Sequence, residues 1–125
     1  MDAKITVLLV DDHKLFRRGV RLFLESCPDI QLVGEVSSGE EAIRFLAGQF
    51  ADVVLLDVEM PGMDGAETAK EISIRWPGIR ILMFSSRGSK QKLAKALESG
   101  AAGFVMKDAP PEELVATIRK VAAAN

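Results

Sequence analysis

The stretch that decides the fold is "ITVLLVDDH", residues 5–13. Its first six residues are apolar or β-branched with almost no polar alternation, which is typical of a parallel strand buried on both faces. The run ends at two adjacent carboxylates, Asp11 and Asp12, and His13 follows at once. Neighbouring carboxylates are unfavourable unless a cation lies between them. The stretch therefore predicts a central strand that carries a cation-binding pair of aspartates at its end.

Four more apolar runs follow, with room for a helix after each of them. "DVVLLD" (52–57) is the most apolar and predicts a second central strand, whereas "IQLVGEV" (30–36) alternates more and favours a sheet edge. "IRILMFS" (79–85) and "GFVMK" (103–107) complete the set. Apolar residues at helical spacing predict helices over 14–26, 38–47, 66–75, 89–99 and 111–123. Strands and helices in alternation predict an α/β fold with a mostly parallel, doubly wound sheet.

Length and composition narrow the class of protein. The chain has 125 residues, 48% of them hydrophobic and 27% charged, and we expect residues 1–125 to form one domain. A formal net charge of -2 argues against direct binding to nucleic acid, which needs a basic excess. Cys27 is the single cysteine, and no apolar stretch approaches the roughly 20 residues of a membrane span. We therefore expect a soluble, cytoplasmic protein that does not contact a membrane.

Reactive polar side chains stand at the ends of most predicted strands. They are Asp11 and Asp12, Asp57, Ser85 and Ser86, and Lys107. Ligands of open parallel sheets bind beyond these carboxyl ends. Carboxylates without a nearby set of His or Cys ligands suit Mg²⁺. A carboxylate is also a nucleophile toward phosphorus, and a metal, an ammonium and a hydroxyl would stabilise the phosphoryl oxygens. The pattern predicts Mg²⁺-dependent phosphoryl chemistry at an aspartate.

Four motifs carry a resemblance to a known family. "LLVDDH" (8–13), "VVLLDVEMPGMDG" (53–65), "ILMFSS" (81–86) and "GAAGFVMKDAPPEEL" (100–114) resemble the receiver domain of bacterial two-component response regulators, in family order. The "DDH" and "KDA" details resemble the NarL/FixJ branch, whose members usually carry a LuxR-type helix-turn-helix domain. The resemblance implies a flavodoxin-like sheet of strand order 2-1-3-4-5 with five helices. It also implies that the DNA-binding output domain is not part of this chain.

The resemblance assigns roles to the residues that match the family motifs. Asp57 matches the phosphoacceptor. Asp12 and Asp57 would contact Mg²⁺ directly, Asp11 would hold it through water, and the main-chain carbonyl of Glu59 would complete the protein ligands. His13 is expected on the rim at a helix start, and the donor histidine is expected on another protein.

Three further residues match the family's switch. Ser85 matches the hydroxyl residue that turns toward the phosphoryl group, with Ser86 as the alternative, and Lys107 would pair with phosphate oxygens. Phe104 matches the switch aromatic, and a phenylalanine there implies a switch made by packing alone. Glu59 and Arg87 stand two residues beyond Asp57 and Ser85, and we expect them to form an ion pair over the site and to influence the lifetime of the phosphate.

The implied function is signalling by phosphoryl transfer. A sensor histidine kinase would phosphorylate Asp57, and the surface of the fourth helix, fifth strand and fifth helix would change. The expected output is homodimer formation or contact with a DNA-binding domain that regulates transcription. One alternative is a stand-alone receiver that acts by protein contact only. Another is a Mg²⁺-dependent phosphohydrolase with Glu59 as acid/base. We expect no enzyme activity beyond slow self-dephosphorylation, because the chain has no long substrate loop.

Overall fold

The computed structural model describes residues 4–86 and 90–124. Strands and helices alternate as β1 (Ile5–Val10), α1 (Lys14–Glu25), β2 (Ile30–Val36), α2 (Gly39–Gly48), β3 (Val53–Asp57), α3 (Gly65–Arg75), β4 (Arg80–Ser85), α4 (Lys90–Glu98), β5 (Gly103–Met106) and α5 (Pro111–Ala123). All strand pairs are parallel, and the sheet order is β2-β1-β3-β4-β5. The predicted flavodoxin-like fold is confirmed. Predicted element ends agree to within one residue, apart from residue 89, which lies outside the described residues.

Side chains that alternate along the central strands divide the core into two layers. Leu8 and Val10 of β1 pack with α2, α3 and α4, whereas Val7 and Leu9 pack with α1 and α5. Every residue of β3 is buried. Fully burying one such aliphatic side chain contributes about 1.5–3 kcal/mol to stability. The centre of the sheet is therefore stable, and it holds the residues at the carboxyl ends of its strands in fixed positions. Among the described residues, no helix is long and apolar enough to cross a membrane.

Strand β2 lies at an edge of the sheet, as its alternating sequence predicts. Its register against β1 shifts between Val7 and Leu8, so that Val33 has no partner opposite it. Gly34 follows this irregularity, and a Cβ there would lie 2.5 Å from the ring of Phe45. The bulge and the glycine together bring α2 close to the sheet.

The loop after β3 is held tightly against the end of that strand. Gly65 begins α3, and a Cβ at this position would lie 2.7 Å from the carbonyl oxygen of Asp57 and from the Cα of Val58. Asp64 and Glu67 form a capping box that fixes the start of α3. Gly62 has φ +73, a conformation that glycine adopts without strain. The loop geometry therefore fixes the backbone directly behind Asp57.

Candidate functional site

Two buried aspartates and a lysine meet at the carboxyl ends of the strands. β1 and β3 are neighbours, so Asp11 and Asp57 emerge side by side, at 0% and 2% exposure. Lys107 directly follows β5, and its Nζ lies 2.9 Å from Asp11 Oδ2 and 3.0 Å from Asp57 Oδ2. The convergence that the sequence predicted is therefore present for these three residues. A tethered ammonium lies between the two carboxylates.

Backbone amides orient the two carboxylates. The N–H of Glu59 donates to Asp57 Oδ1 at 3.0 Å, and the N–H of His13 donates to Asp11 Oδ1 at 2.8 Å. The second oxygen of each carboxylate, Oδ2, contacts Lys107. Asp11 Oδ2 is buried and makes an ionic contact with Lys107 but no well-aligned hydrogen bond. Lys107 is thus the cation that faces this buried oxygen.

Burial and charge have opposite effects on the ionisation of this cluster. Burial raises the pKa of Asp57, and the neighbouring Asp11 charge raises it further, against the lowering effects of the Glu59 N–H and Lys107. Burial alone would lower the pKa of Lys107, but its close contacts and charge interactions with the carboxylates of Asp11 and Asp57 outweigh this effect and raise the pKa. The charged form of Lys107 is therefore favoured. The charged form of Asp57 is disfavoured, because its partners offset only part of the free-energy cost of its burial.

The described donor atoms fit a hard divalent cation. Asp11, Asp12, His13 and Asp57 each offer one ligand atom, and these atoms all lie within 4.8 Å of one another. Asp12 is the more accessible of the paired aspartates, with its side chain 35% exposed. Receiver domains bind Mg²⁺ at such an acidic pocket, and carboxylate oxygens completed by water are the ligands this ion prefers. The role of the Glu59 carbonyl stays a prediction.

The predicted switch residues lie in different environments. Ser85 is 2% exposed, and its carbonyl accepts the Lys107 N–H at 2.8 Å, whereas its hydroxyl donates to the Ser86 carbonyl at 3.3 Å. Ser86 is exposed. Phe104 is 47% exposed on β5, beside a groove of about 360 Å³ whose other wall includes Thr117. Ser85 is thus linked to Lys107 through the backbone, while Phe104 lies outside the acidic cluster.

Arg87, the predicted ion-pair partner of Glu59, lies outside the described residues. Glu59 Oε2 does lie 3.5 Å from Nζ of Lys92 in α4. The sequence favours a solvated helix face for Lys92, so its contact with Glu59 was not predicted. Its position in the first turn of a helix that packs beside β4 was the only available signal.

Sequence reasoning also missed contacts made by the first turn of α1. Lys107 Nζ lies 4.8 Å from the centre of the Phe16 ring and 3.4 Å from His13 Nδ1. The Arg17 guanidinium donates to the main-chain carbonyl of Asp11. His13 lies on the rim as expected, 67% exposed, at the residue that precedes α1. The spacing of Phe16 and Arg17, three and four residues after His13, was the signal for this set.

The fold and the acidic site together define a class, the receiver domains of two-component response regulators. The family model for the response regulator receiver domain matches residues 7–119, and the chain belongs to this family.

Relatives and solved structures agree on that class. The response regulator UvrY of Escherichia coli K12 is 42% identical over 117 residues, which is 94% of this chain and 54% of UvrY. The nitrate/nitrite response regulator NarL of the same organism is 39% identical over 118 residues, 94% of this chain and 55% of NarL. The signal receiver domain of a Mycobacterium tuberculosis protein assigned as the response regulator NarL superposes with a TM-score of 0.92 and 35% identity, covering 99% of this chain and all of that one.

These relatives confirm the resemblance to the NarL/FixJ branch, since NarL itself is among them. The chain spans about half the length of the curated relatives that it matches. It is the receiver domain of a two-component response regulator, and its relatives include transcriptional regulators.

Proposed function

We propose that Asp57 accepts a phosphoryl group from a phosphohistidine of a sensor kinase. An Asp57 carboxylate oxygen forms the new O–P bond while the N–P bond of the donor breaks. The donor imidazole leaves with that electron pair and takes up a proton. The observation that carries this proposal is the placement of Asp57, buried at a strand end with Lys107 Nζ 3.0 Å away and the Glu59 N–H on its other oxygen. The arrangement exposes few oxygens to water and offers fixed positive charge to a phosphoryl group.

The aspartates would hold Mg²⁺ beside the reacting oxygen. Asp12 and Asp57 would bind it directly, Asp11 through water, and the Glu59 carbonyl would complete the protein ligands. When bound, the ion neutralises charge on the phosphoryl oxygens. Lys107 would then bind a phosphoryl oxygen in place of a carboxylate. Ser85 would donate its hydroxyl to another, which requires it to leave the Ser86 carbonyl.

Phosphorylation would act as a switch through these same groups. The phosphoryl group carries a charge of about -1.5 to -2 and replaces the single negative charge of the Asp57 carboxylate between Lys107 and Ser85. These residues are joined by the hydrogen bond from the Lys107 N–H to the Ser85 carbonyl, so movement at one is passed to β4 and β5. Phe104 lies three residues before Lys107 and is free to change its packing because it is half exposed. We infer a shift between two arrangements of the α4-β5-α5 surface.

The output would be homodimer formation or contact with a DNA-binding domain. Support comes from relatives described as transcriptional regulatory proteins, of which this chain spans about half. A stand-alone receiver that acts by protein contact only is the alternative. Sedimentation of the chain with and without phosphorylation separates them in part, since only self-association raises the mass of the particle.

Intact mass tests the proposal directly. The chain is incubated with acetyl phosphate and Mg²⁺, beside Asp57→Asn and beside a sample in EDTA. One labile phosphoryl adduct on the wild type alone supports Asp57 as the acceptor and the metal as a requirement. An adduct on Asp57→Asn would place the acceptor elsewhere, and an adduct in EDTA would remove Mg²⁺ from the mechanism. Absence of any adduct would refute phosphorylation of this site by that donor.

A further inference from the structure

His13 is the single histidine of the chain, and the proposed transfer gives it no role. Its Nδ1 lies 3.2 Å from Asp11 Oδ1 and 3.6 Å from Asp12 Oδ1. Around one divalent ion with bonds of about 2.1 Å, neighbouring ligand atoms are about 3.0 Å apart in an octahedron and about 3.4 Å apart in a tetrahedron. Both distances from the imidazole nitrogen are therefore close to the spacing of ligands of one ion, and the ligand atoms of Asp11, Asp12 and His13 all lie within 4.8 Å of one another.

A second observation places positive charge at the same point. Lys107 Nζ lies 2.9 Å from Asp11 Oδ2, 3.0 Å from Asp57 Oδ2 and 3.4 Å from His13 Nδ1. Asp11 is fully buried, and its Oδ2 has no well-aligned hydrogen bond. One cationic atom thus contacts two carboxylates and borders the imidazole. His13 belongs by position to the wall of the cation pocket.

We propose that His13 is an additional metal ligand, which raises the affinity of the site for divalent ions that prefer imidazole, such as Co²⁺, Ni²⁺ or Zn²⁺, relative to Mg²⁺. The inference rests on the proposed function only in that both use the same aspartates. Mg²⁺ prefers oxygen ligands and gains little from an imidazole, whereas the transition metals bind nitrogen strongly. The ring is 67% exposed, so it has room to turn its nitrogen onto an ion.

A purely orienting role for His13 makes a different prediction. The imidazole Nδ1 and the backbone N–H of His13 both contact Asp11 Oδ1, and in an orienting role the side chain only holds that carboxylate in place. Loss of an orienting group weakens binding of every ion that uses Asp11. Loss of a ligand weakens binding of imidazole-preferring ions alone. The ratio of the two affinities therefore separates the roles.

The test is calorimetric titration of Co²⁺ and of Mg²⁺ into the chain purified without a polyhistidine tag. His13→Ala is expected to weaken Co²⁺ binding at least about tenfold and Mg²⁺ binding less than about twofold. His13→Gln, whose amide still reaches a carboxylate, is expected to behave like alanine toward Co²⁺. Because the chain has one histidine, paramagnetic shifts of imidazole protons on adding Co²⁺ report His13 alone.

Equal weakening for both ions, rescue by His13→Gln, unshifted imidazole protons, or no Co²⁺ binding by the wild type would each overturn the inference. Asp12→Ala is the matched variant for the proposed function and is expected to weaken both ions. If it leaves Mg²⁺ binding unchanged, the proposed Mg²⁺ ligands are wrong. Failure at His13 and failure at the aspartates are therefore distinguishable.

Discussion

The two aspartates at either end of the β3 run, Asp52 and Asp57, have opposite surroundings. Asp52 directly precedes β3, and its Oδ2 accepts the Thr6 N–H at 2.8 Å and the Thr6 hydroxyl at 2.9 Å. The Asp52 N–H donates back to Thr6 Oγ1 at 2.9 Å. Neutral donors thus satisfy this carboxylate and join β1 to β3 at the amino ends of the strands.

Asp57, at the carboxyl end of the same strand, is surrounded by charged groups. A second carboxylate lies beside it, Lys107 contacts it, and burial raises its pKa. One residue type is therefore a structural clamp at one end of the strand and the proposed phosphoacceptor at the other. A carboxylate that is satisfied by neutral hydrogen-bond donors is chemically inert. A buried carboxylate whose charge is only partly balanced changes its protonation and its partners when a metal or a phosphate binds nearby.

The largest expected difference between the two aspartates is in the phosphoryl adduct. Asp57→Asn is expected to abolish the adduct completely, because it removes the nucleophile. Asp52→Ala is expected to keep the adduct but to lower the free energy of unfolding by about 1–3 kcal/mol, since Thr6 loses its hydrogen-bond partners. Intact mass and urea denaturation measure the two effects. An Asp52→Ala protein that folds but forms no phosphoryl adduct would contradict a purely structural role for Asp52.

The next largest effect is expected from removing the ammonium group of Lys107, which contacts Asp57 but not Asp52. Lys107→Met keeps most of the side-chain volume but removes the charge that faces Asp57, and is expected to slow phosphorylation about 10²–10³-fold. The rate of adduct formation from acetyl phosphate measures it. Lys70→Met, on the exposed side of α3, is the control and is expected to leave the rate unchanged. A rate equal to that of the control would show that Lys107 only balances charge in the resting state.

The backbone behind Asp57 gives the third test. Gly65→Ala places a Cβ 2.7 Å from backbone atoms of Asp57 and Val58, which cannot rotate away, and is expected to cost about 1–3 kcal/mol of folding free energy. Gly19→Ala, a helical glycine with open space around it, is expected to stabilise by about 0.5–1 kcal/mol. Urea denaturation of both variants checks this. Equal stability would mean that the loop after β3 yields easily.

A smaller effect is expected at Glu59. Its contact with Lys92 at 3.5 Å is exposed and is worth no more than about 1 kcal/mol. Glu59→Ala is therefore expected to change the lifetime of the phosphate by up to about fivefold, and to change the yield of phosphorylation less. Decay of the adduct after removal of acetyl phosphate measures it. Glu71→Ala breaks the Glu71–Arg75 pair elsewhere on the surface and is the control. Equal lifetimes would contradict the prediction.

The last prediction concerns pH in metal-free buffer. Because burial raises the pKa of Asp57, its contribution to stability is fully present below the ordinary value of 3.8 and is lost as pH rises through the folded-state value. As pH rises from 3.8 through the folded-state pKa of Asp57, the free energy of unfolding of Asp57→Asn is therefore expected to increase relative to that of the wild type. The pKa of Lys107 is raised as well, so its contribution is lost only above 10.5. Parallel pH profiles of the two proteins would contradict the assigned direction.

The sequence predicted the strand ends well because parallel topology alone brings them together. Asp11, Asp57 and Lys107 needed only a correct order of elements and correct strand bounds, both of which follow from apolar runs. Ser85 was likewise placed at its strand end. The roles of Asp12, Glu59 and Phe104 rest on family resemblance and stay predictions.

Contacts that depend on how elements are turned against each other were not predictable. His13 and Lys107 are 94 positions apart, and their contact depends on how α1 is rotated on the sheet. The same rotation brings Phe16 under Lys107. The partner of Asp52 depended on the strand register that sets Val7 opposite Val53. Periodicity fixes which face of an element is buried but not which side chain it meets.

The acidic site is assembled from distant parts of the chain, and this has a consequence for protein synthesis. Asp57 and Lys107 are 50 positions apart and are joined only when β3, β4 and β5 are all paired in the sheet. Such long-range closure is a late and slow event in folding. Under the proposed mechanism, a chain still on the ribosome lacks the ammonium that faces Asp57 until residue 107 has emerged. If the proposed mechanism holds, fast phosphorylation is expected only of chains in which β5 is complete.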